Sequence, residues 1–273
     1  MKKKVAIQGL KGSFHHEAAQ HYFGEQVVPV ECKTFPEVVS KVLKSEVDFA
    51  LMAIENSLAG SIIPNYSLLR QKELSICGEI ILRVRMNLMV YNNTTLNDVK
   101  EIHSHQMAIR QCSAFLQTHP SVKIVEAFDT AGSAQFIREN KLKHVAAIAS
   151  AEAAKTYGLS IIEKGIENEE SFTRFLVLSK EDISTDFNKA SLYMETAHEP
   201  GSLASVLNVI SEHGINLSKL QSHPVSGRKR TYGFFIDLEF DSMDQWHKTK
   251  AALQGLTVVL DVLGIYKKGK TYE

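Results

Sequence analysis

Thr173-Arg174-Phe175 sets a neutral hydroxyl beside a fixed cation. An apolar run, Phe175-Leu176-Val177-Leu178, emerges there from the acidic, turn-prone stretch Glu167-Asn168-Glu169-Glu170-Ser171. Strand ends of this kind are where open α/β sheets put their ligands. A hydroxyl beside an arginine suits one kind of chemistry, in which an anion is held while a hydrogen bond is donated to a leaving oxygen. Taken alone, the tripeptide reads more readily as a strand-start threonine followed by a solvated rim charge. Its companions elsewhere in the chain carry the argument.

Glu55-Asn56-Ser57 closes a mostly apolar run over 48–54, and Gly60 follows. Asn56 offers both a donor and an acceptor with which to orient a substrate, or it serves as an ordinary helix cap. Glu55 is a candidate acid, although nothing in the sequence around it would raise its pKa. Ser104-His105 is expected to begin a helix that contains Gln111-Cys112. Ser104 and Gln111 would then share a helix face, separated by about 10 Å along the axis, as two neutral groups on one wall of a cleft. Cys112 belongs with Ala108, Phe115 and Leu116 on the buried stripe, since no feature nearby would lower a thiol pKa. Gly9-Leu10-Lys11-Gly12-Ser13 joins a strand to a helix starting near Ser13. Glycines let backbone approach a ligand and a helix start attracts anions, although a tight turn explains the segment as well. It is not GxGxxG, so no dinucleotide is expected. The 11 histidines include His15-His16 with His21, and His103 with His105, none at metal-site spacing. No metal is expected.

These residues must be positioned by a chain of 273 residues, which suits one large and one small domain. Lys and Arg (31) balance Asp and Glu (31), so nothing points to nucleic acid or an anionic membrane surface. Lys2-Lys3-Lys4 before Val5-Ala6-Ile7 resembles a secretion signal, but the apolar run stops at Gln8-Gly9. Cys32, Cys77 and Cys112 are widely spaced, as in reduced thiols of a cytoplasmic protein. The first two-thirds alternates strands (Val5–Ile7, 48–54, 84–91, 122–128, 145–148) with helices, including 105–118 and 131–140. Thr34 to Glu37 forms a capping box ahead of the stripe Val38, Val39, Val42 and Leu43. That βα alternation argues for a largely parallel sheet covered on both faces, arranged as two α/β lobes with a cleft over residues 1–180. A polar stretch over 181–186 reads as a linker. Behind it, residues 188–273 read βαββαβ, a ferredoxin-like module with a turn through Ser226-Gly227.

Four segments together resemble the prephenate dehydratase family with a C-terminal ACT domain. They are Gly9-Leu10-Lys11-Gly12-Ser13-Phe14; Ile54-Glu55-Asn56-Ser57 with Gly60; Ser104-His105 with Gln111-Cys112-Ser113-Ala114-Phe115-Leu116; and Phe172-Thr173-Arg174-Phe175. Pro200-Gly201-Ser202-Leu203 and Asn216-Leu217 resemble the ACT segments PGAL and INLT. The departures are Leu10 for the usual Pro, His15 where Ser is common, Gln106-Met107 for Pro-Gln, and Ser171 where Asn often stands. In the regulatory module the family's ESRP reads Gln221-Ser222-His223-Pro224.

The resemblance implies a two-lobed, periplasmic-binding-protein-like α/β region that converts prephenate to phenylpyruvate, CO2 and water, with no cofactor. Arogenate is the alternative substrate, and a non-catalytic anion-binding protein with an amino-acid sensor is the alternative class. Thr173 is the implied proton donor, with Asn56, Ser104 and Gln111 positioning the substrate. Ser13, Glu55, Ser57, Arg174 and Phe175 complete the expected binding set. L-phenylalanine is the implied effector, near Gly201, Ser202, Leu203, Asn216, Leu217 and Ser222 of a homodimer or homotetramer.

Overall fold

The computed structural model describes residues 2–71, 73–181, 184–225, 227 and 231–273. The chain opens with β1 (Lys4–Gln8), α1 (Phe14–Phe23), β2 (Val28–Cys32), α2 (Phe35–Leu43), β3 (Phe49–Asn56), β4 (Gly60–Ser61), α3 (Ile63–Leu68) and β5 (Ser75–Arg83). Next come β6 (Asn87–Val90), β7 (Glu101–His105), α4 (Gln106–Gln111), α5 (Ser113–Gln117), β8 (Lys123–Ala127), α6 (Thr130–Asn140), β9 (Val145–Ala149), α7 (Ala151–Tyr157), β10 (Ser160–Lys164) and β11 (Phe172–Ser179). The last elements are β12 (Lys189–Glu195), α8 (Ser202–Glu212), β13 (Asn216–Pro224), β14 (Tyr232–Glu239), α9 (Met243–Gln254), β15 (Val259–Tyr266) and β16 (Thr271–Tyr272). The expected linker at Asp182-Ile183 and the expected turn residue Ser226 lie outside the described residues.

Two compact units emerge. One contains Met1–Ser61, Ile80–Phe175 and Thr271–Glu273; the other contains Ile62–Glu79 and Leu176–Lys270. The first sheet has the order β16-β5-β11-β3-β1-β2, with β4 on β3, and β1 pairs in parallel with both β2 and β3. The second sheet, β10-β6-β9-β7-β8, is mixed rather than largely parallel: β7 runs parallel to β8 and β9, while β6 is antiparallel to β9 and β10. This sheet is covered on both faces. Leu88, Val90, Ile102, Ala146 and Ile148 pack with Ala108 and Cys112 on one side, and Met89, Ala147 and Ala149 pack with α6 and α7 on the other.

Local signals account for several helix starts. Thr34 Oγ1 accepts from the Glu37 N–H (3.3 Å), Asp129 from Gly132, and Ser150 from Ala153. The Glu37 carboxylate reaches the Lys33 amide rather than that of Thr34, so the expected box closes one residue early. The expected helix over 105–118 is two short helices divided at Cys112. Ser104 lies on β7 rather than on a helix.

The second unit has the sheet order β13-β14-β12-β15, all antiparallel, which is the ferredoxin-like arrangement. Strand β12 alternates with period two. Ala190, Leu192 and Met194 face a core that contains Val206, Ile210, Trp246 and Leu253. Lys189, Ser191, Tyr193 and Glu195 face the other way and are buried as well. Residues from 66–79 lie on that side: Tyr66 packs on Phe235, Arg70 stacks 3.7 Å from the Tyr193 ring, and Lys189 Nζ sits 3.0 Å from both Glu79 oxygens.

Candidate active site

Three consecutive residues, Glu55 to Ser57, where β3 ends hold four consecutive residues, Ser171 to Arg174, where β11 begins. Asn56 Nδ2 donates to Ser171 Oγ (2.8 Å) and to Thr173 Oγ1 (3.0 Å). The Ser57 amide donates to the Phe172 carbonyl, and Ser57 Oγ accepts from the Phe172 N–H (3.0 Å). Glu55 Oε1 lies 3.5 Å from Arg174 Nη1. The Asn56 carbonyl oxygen takes the backbone N–H groups of Leu58 (3.0 Å) and Ala59 (2.9 Å). Backbone amides only donate, so they fix which end of the side chain is the oxygen. The nitrogen must therefore face the two hydroxyls. Each hydroxyl oxygen accepts from Asn56 and keeps its own proton for another acceptor.

The expected binding residues divide sharply. Thr173 is 9% exposed and Asn56 half-buried, and the two are in direct contact. Arg174 is 8% exposed and paired with Glu55, so its cation is already answered within the protein. Phe175 is 1% exposed and takes the His15 ring edge-on at 4.9 Å, so its ring packs inside the protein. The ring of His15, the unusual residue at that position, also lies 5.6 Å from Phe35, and its burial pushes its pKa down to about 3.

Ser104 is wholly buried, and its hydroxyl donates to the Ile148 carbonyl (2.7 Å), tying β7 to β9. The shared helical wall with Gln111 is therefore corrected: the two residues sit on different elements. Gln111 is half-buried at the end of α4, and its carbonyl accepts from the Asn168 N–H (2.6 Å). Asn168 also accepts from the Ala114 N–H and donates to Ser113 Oγ. It thus clamps the α4–α5 break to the loop that leads to Thr173. Sequence reasoning missed Asn168 and Ser171; an Asn inside an acidic loop gave the one visible hint, since Asn bonds readily to nearby backbone.

The Gly9–Ser13 loop turns out to be a tight junction. The amides of Gly9, Lys11, Gly12 and Ser13 donate respectively to the Cys32 carbonyl, Glu31, His16 Nδ1 and the Leu10 carbonyl. Ser13 caps α1 by accepting from the His16 N–H. A Cβ on Gly12 (φ +84°) would stand 2.7 Å from Ala153 Cα, so glycine admits the start of α7 there rather than a ligand. His16 Nδ1 can accept only when unprotonated, and burial lowers its pKa; its 3.8 Å approach to Glu152 is therefore not a charge pair. Burial pushes the Cys112 thiol up to about 12, as a core residue requires.

In the ferredoxin-like module, Gly201 (φ +88°) starts α8 in the left-handed region. Ser202 and Leu203 line a recess of about 160 Å³ together with Thr196, His198, Glu199 and Phe234. Asn216, Leu217 and Ser222 lie on β13 and are not among the residues lining it. His223 sits with Nε2 3.4 Å from Ser67 Oγ.

Fold and site together define a two-sheet α/β body with a buried threonine hydroxyl held by an amide at a strand start, and a ferredoxin-like module. The comparisons with known proteins give that class a name. Residues 5–183 match the family model described as prephenate dehydratase, and residues 186–263 match that described as ACT domain. The chain belongs to the prephenate dehydratase family. It is 33% identical over 276 residues to a bifunctional chorismate mutase/prephenate dehydratase of Aquifex aeolicus, covering 100% of this chain and 75% of that protein. A solved structure described as GqqA, a novel type of quorum quenching acylase, is 28% identical with a TM-score of 0.89, covering 97% of this chain and 98% of that one. The prephenate dehydratase of Arthrobacter aurescens in complex with L-Phe has the same fold, with a TM-score of 0.85 at 24% identity over 96% of this chain and 89% of that one.

Proposed function

We propose that the protein dehydrates and decarboxylates prephenate to phenylpyruvate, with Thr173 as the proton donor to the departing hydroxyl. The observation that carries this is the Asn56–Thr173 contact at 3.0 Å. Aromatisation of the ring drives the reaction, and the slow part is loss of hydroxide. An amide that donates into Oγ1 polarises the Thr173 O–H outward, and a hydrogen bond chained in this way is a better donor than an isolated one. A positioned donor of this kind contributes about 10²–10⁴-fold. Ser57 and Glu55 support the strand that bears it, while Gln111, Ser104 and Ser13 belong to the surrounding scaffold. The geometry fits amide hydrolysis poorly. That chemistry needs a base to take the nucleophile's proton, and the neighbour on Thr173 is an amide donor that cannot accept one.

The test is an ultraviolet assay for phenylpyruvate. Thr173→Ala is expected to lower kcat by about 10²–10⁴-fold without unfolding, and Thr173→Ser to keep much of the rate. Near wild-type turnover by Thr173→Ala would refute the assignment, and turnover of arogenate alone would reassign the substrate. The proposal includes L-phenylalanine as effector at Gly201, Ser202, Leu203, Asn216, Leu217 and Ser222. The ACT match and the recess beside Ser202 and Leu203 support it. It also includes a homodimer or homotetramer, for which β13 offers an edge strand, and a cytoplasmic location, which suits three buried cysteines in the thiol form. No helix among the described residues is long and apolar enough to cross a membrane. Calorimetry with L-phenylalanine and light scattering decide the effector and the assembly.

A further inference from the structure

Asn56 has two amide hydrogens, and two hydroxyls receive them. Ser171 Oγ lies at 2.8 Å and Thr173 Oγ1 at 3.0 Å. The two acceptors are neighbours on one chain segment, with one residue between them, so both point toward the same side. The carboxamide is planar, and its oxygen is pinned by Leu58 and Ala59. With the oxygen and one hydrogen fixed, the direction of the second hydrogen follows. Ser171 is 1% exposed, and its carbonyl accepts from the Val84 N–H (2.7 Å), so it stays behind Asn56 and its backbone is anchored.

We propose that Ser171 is a positioning residue for the reaction: by accepting one hydrogen of Asn56 it sets the amide plane that aims the other at Thr173 Oγ1. The inference rests on the reading of Thr173 as proton donor and adds a residue to it. It also accounts for the departure at this position. The Asn often found there would present a carbonyl acceptor of its own, so what the position must supply is an acceptor, and a serine hydroxyl supplies one.

Removing that acceptor leaves one hydrogen of the half-buried Asn56 amide unpaired, and the amide relieves this by rotating away from Thr173. Misaiming a catalytic hydrogen bond by a fraction of an ångström to one ångström costs up to about 100-fold. The experiment is steady-state kinetics on prephenate for Ser171→Ala, Thr173→Ala and the double variant, with thermal melting of each. Ser171→Ala is expected to lower kcat about 10- to 100-fold, with KM within about threefold, and to have no further effect once Thr173 is alanine. Ser171→Thr and Ser171→Val, which match in shape but differ in the acceptor, repeat the comparison if the alanine variant does not fold; only Thr should retain activity. Full multiplication of the two single effects, a change confined to KM, or equal rates for Thr and Val would each overturn the inference. Loss of rate in Thr173→Ala with none in Ser171→Ala would overturn it alone. Full rate in Thr173→Ala would overturn the reading of Thr173 beneath it.

Discussion

Replacing Asn56 by Asp tests the polarity of the site without changing its shape. The wild-type side chain accepts two backbone N–H groups through Oδ1 and donates two hydrogens through Nδ2, at 2.8 and 3.0 Å. In Asn56→Asp the first oxygen keeps its two amides. The second is now an acceptor, so Ser171 and Thr173 must turn their own protons toward it. Four hydrogen bonds remain, and four donors suffice to hold an ionised carboxylate, so the cost in stability should stay within about 1–2 kcal/mol. The Thr173 proton, however, is now directed at residue 56 instead of the substrate. The expected loss is the whole general-acid contribution, about 10²–10⁴-fold in kcat, or about 2.7–5.4 kcal/mol of barrier. Protonating the new carboxyl at low pH returns one donor to the pair, so the deficit should shrink as pH falls. The assay is phenylpyruvate formation from pH 4 to 8, beside urea unfolding of both proteins. A variant that is folded and within threefold of wild-type kcat at pH 8 would refute the claim that Thr173 works as a donor aimed by Asn56.

Two buried groups should shape stability against pH in opposite directions. Burial, with the Glu152 charge adding to it, pushes the Glu17 carboxyl up to about 7, so the folded protein keeps a proton that the unfolded chain releases. Stability from this group therefore falls as pH rises from about 4.5 to 7, and Glu17→Gln should flatten that limb of a urea-midpoint profile. Burial pushes His15 down to about 3, so below about 6.5 the unfolded chain takes up a proton that the folded one refuses. Stability then falls as pH drops through that window, and His15→Asn should remove the fall; profiles parallel to wild type would refute either assignment. In the second unit, Lys189→Met removes the buried cation 3.0 Å from Glu79 and should cost about 3–5 kcal/mol by urea unfolding. A cost under 1 kcal/mol would show that the pair is not desolvated, and adding Glu79→Leu should restore much of the loss.

The sequence carried the features that repeat locally. The helix start at Ser13, the Thr34 cap and the βαββαβ order of the last domain are all short-range, and a single chain displays them openly. It also singled out Asn56 and Thr173, because a polar residue at the edge of an apolar strand conflicts with burial unless it has a partner or a functional role. What it could not supply was the partner. Asn56 and Thr173 are 117 positions apart, and nothing local tells that an amide will reach a hydroxyl at that distance along the chain. Ser104 failed for the opposite reason: its spacing to Gln111 fitted a helix, but Glu101–His105 pairs with β8 and β9, and sheet pairing outweighed local propensity. Tertiary structure likewise decided that Gly12 admits a helix start rather than a ligand, and that Arg174 meets Glu55. Residue types and their order fixed which groups were available for chemistry. Only the pairing of distant strands decided which of them meet, which way each proton points, and which charges are already answered.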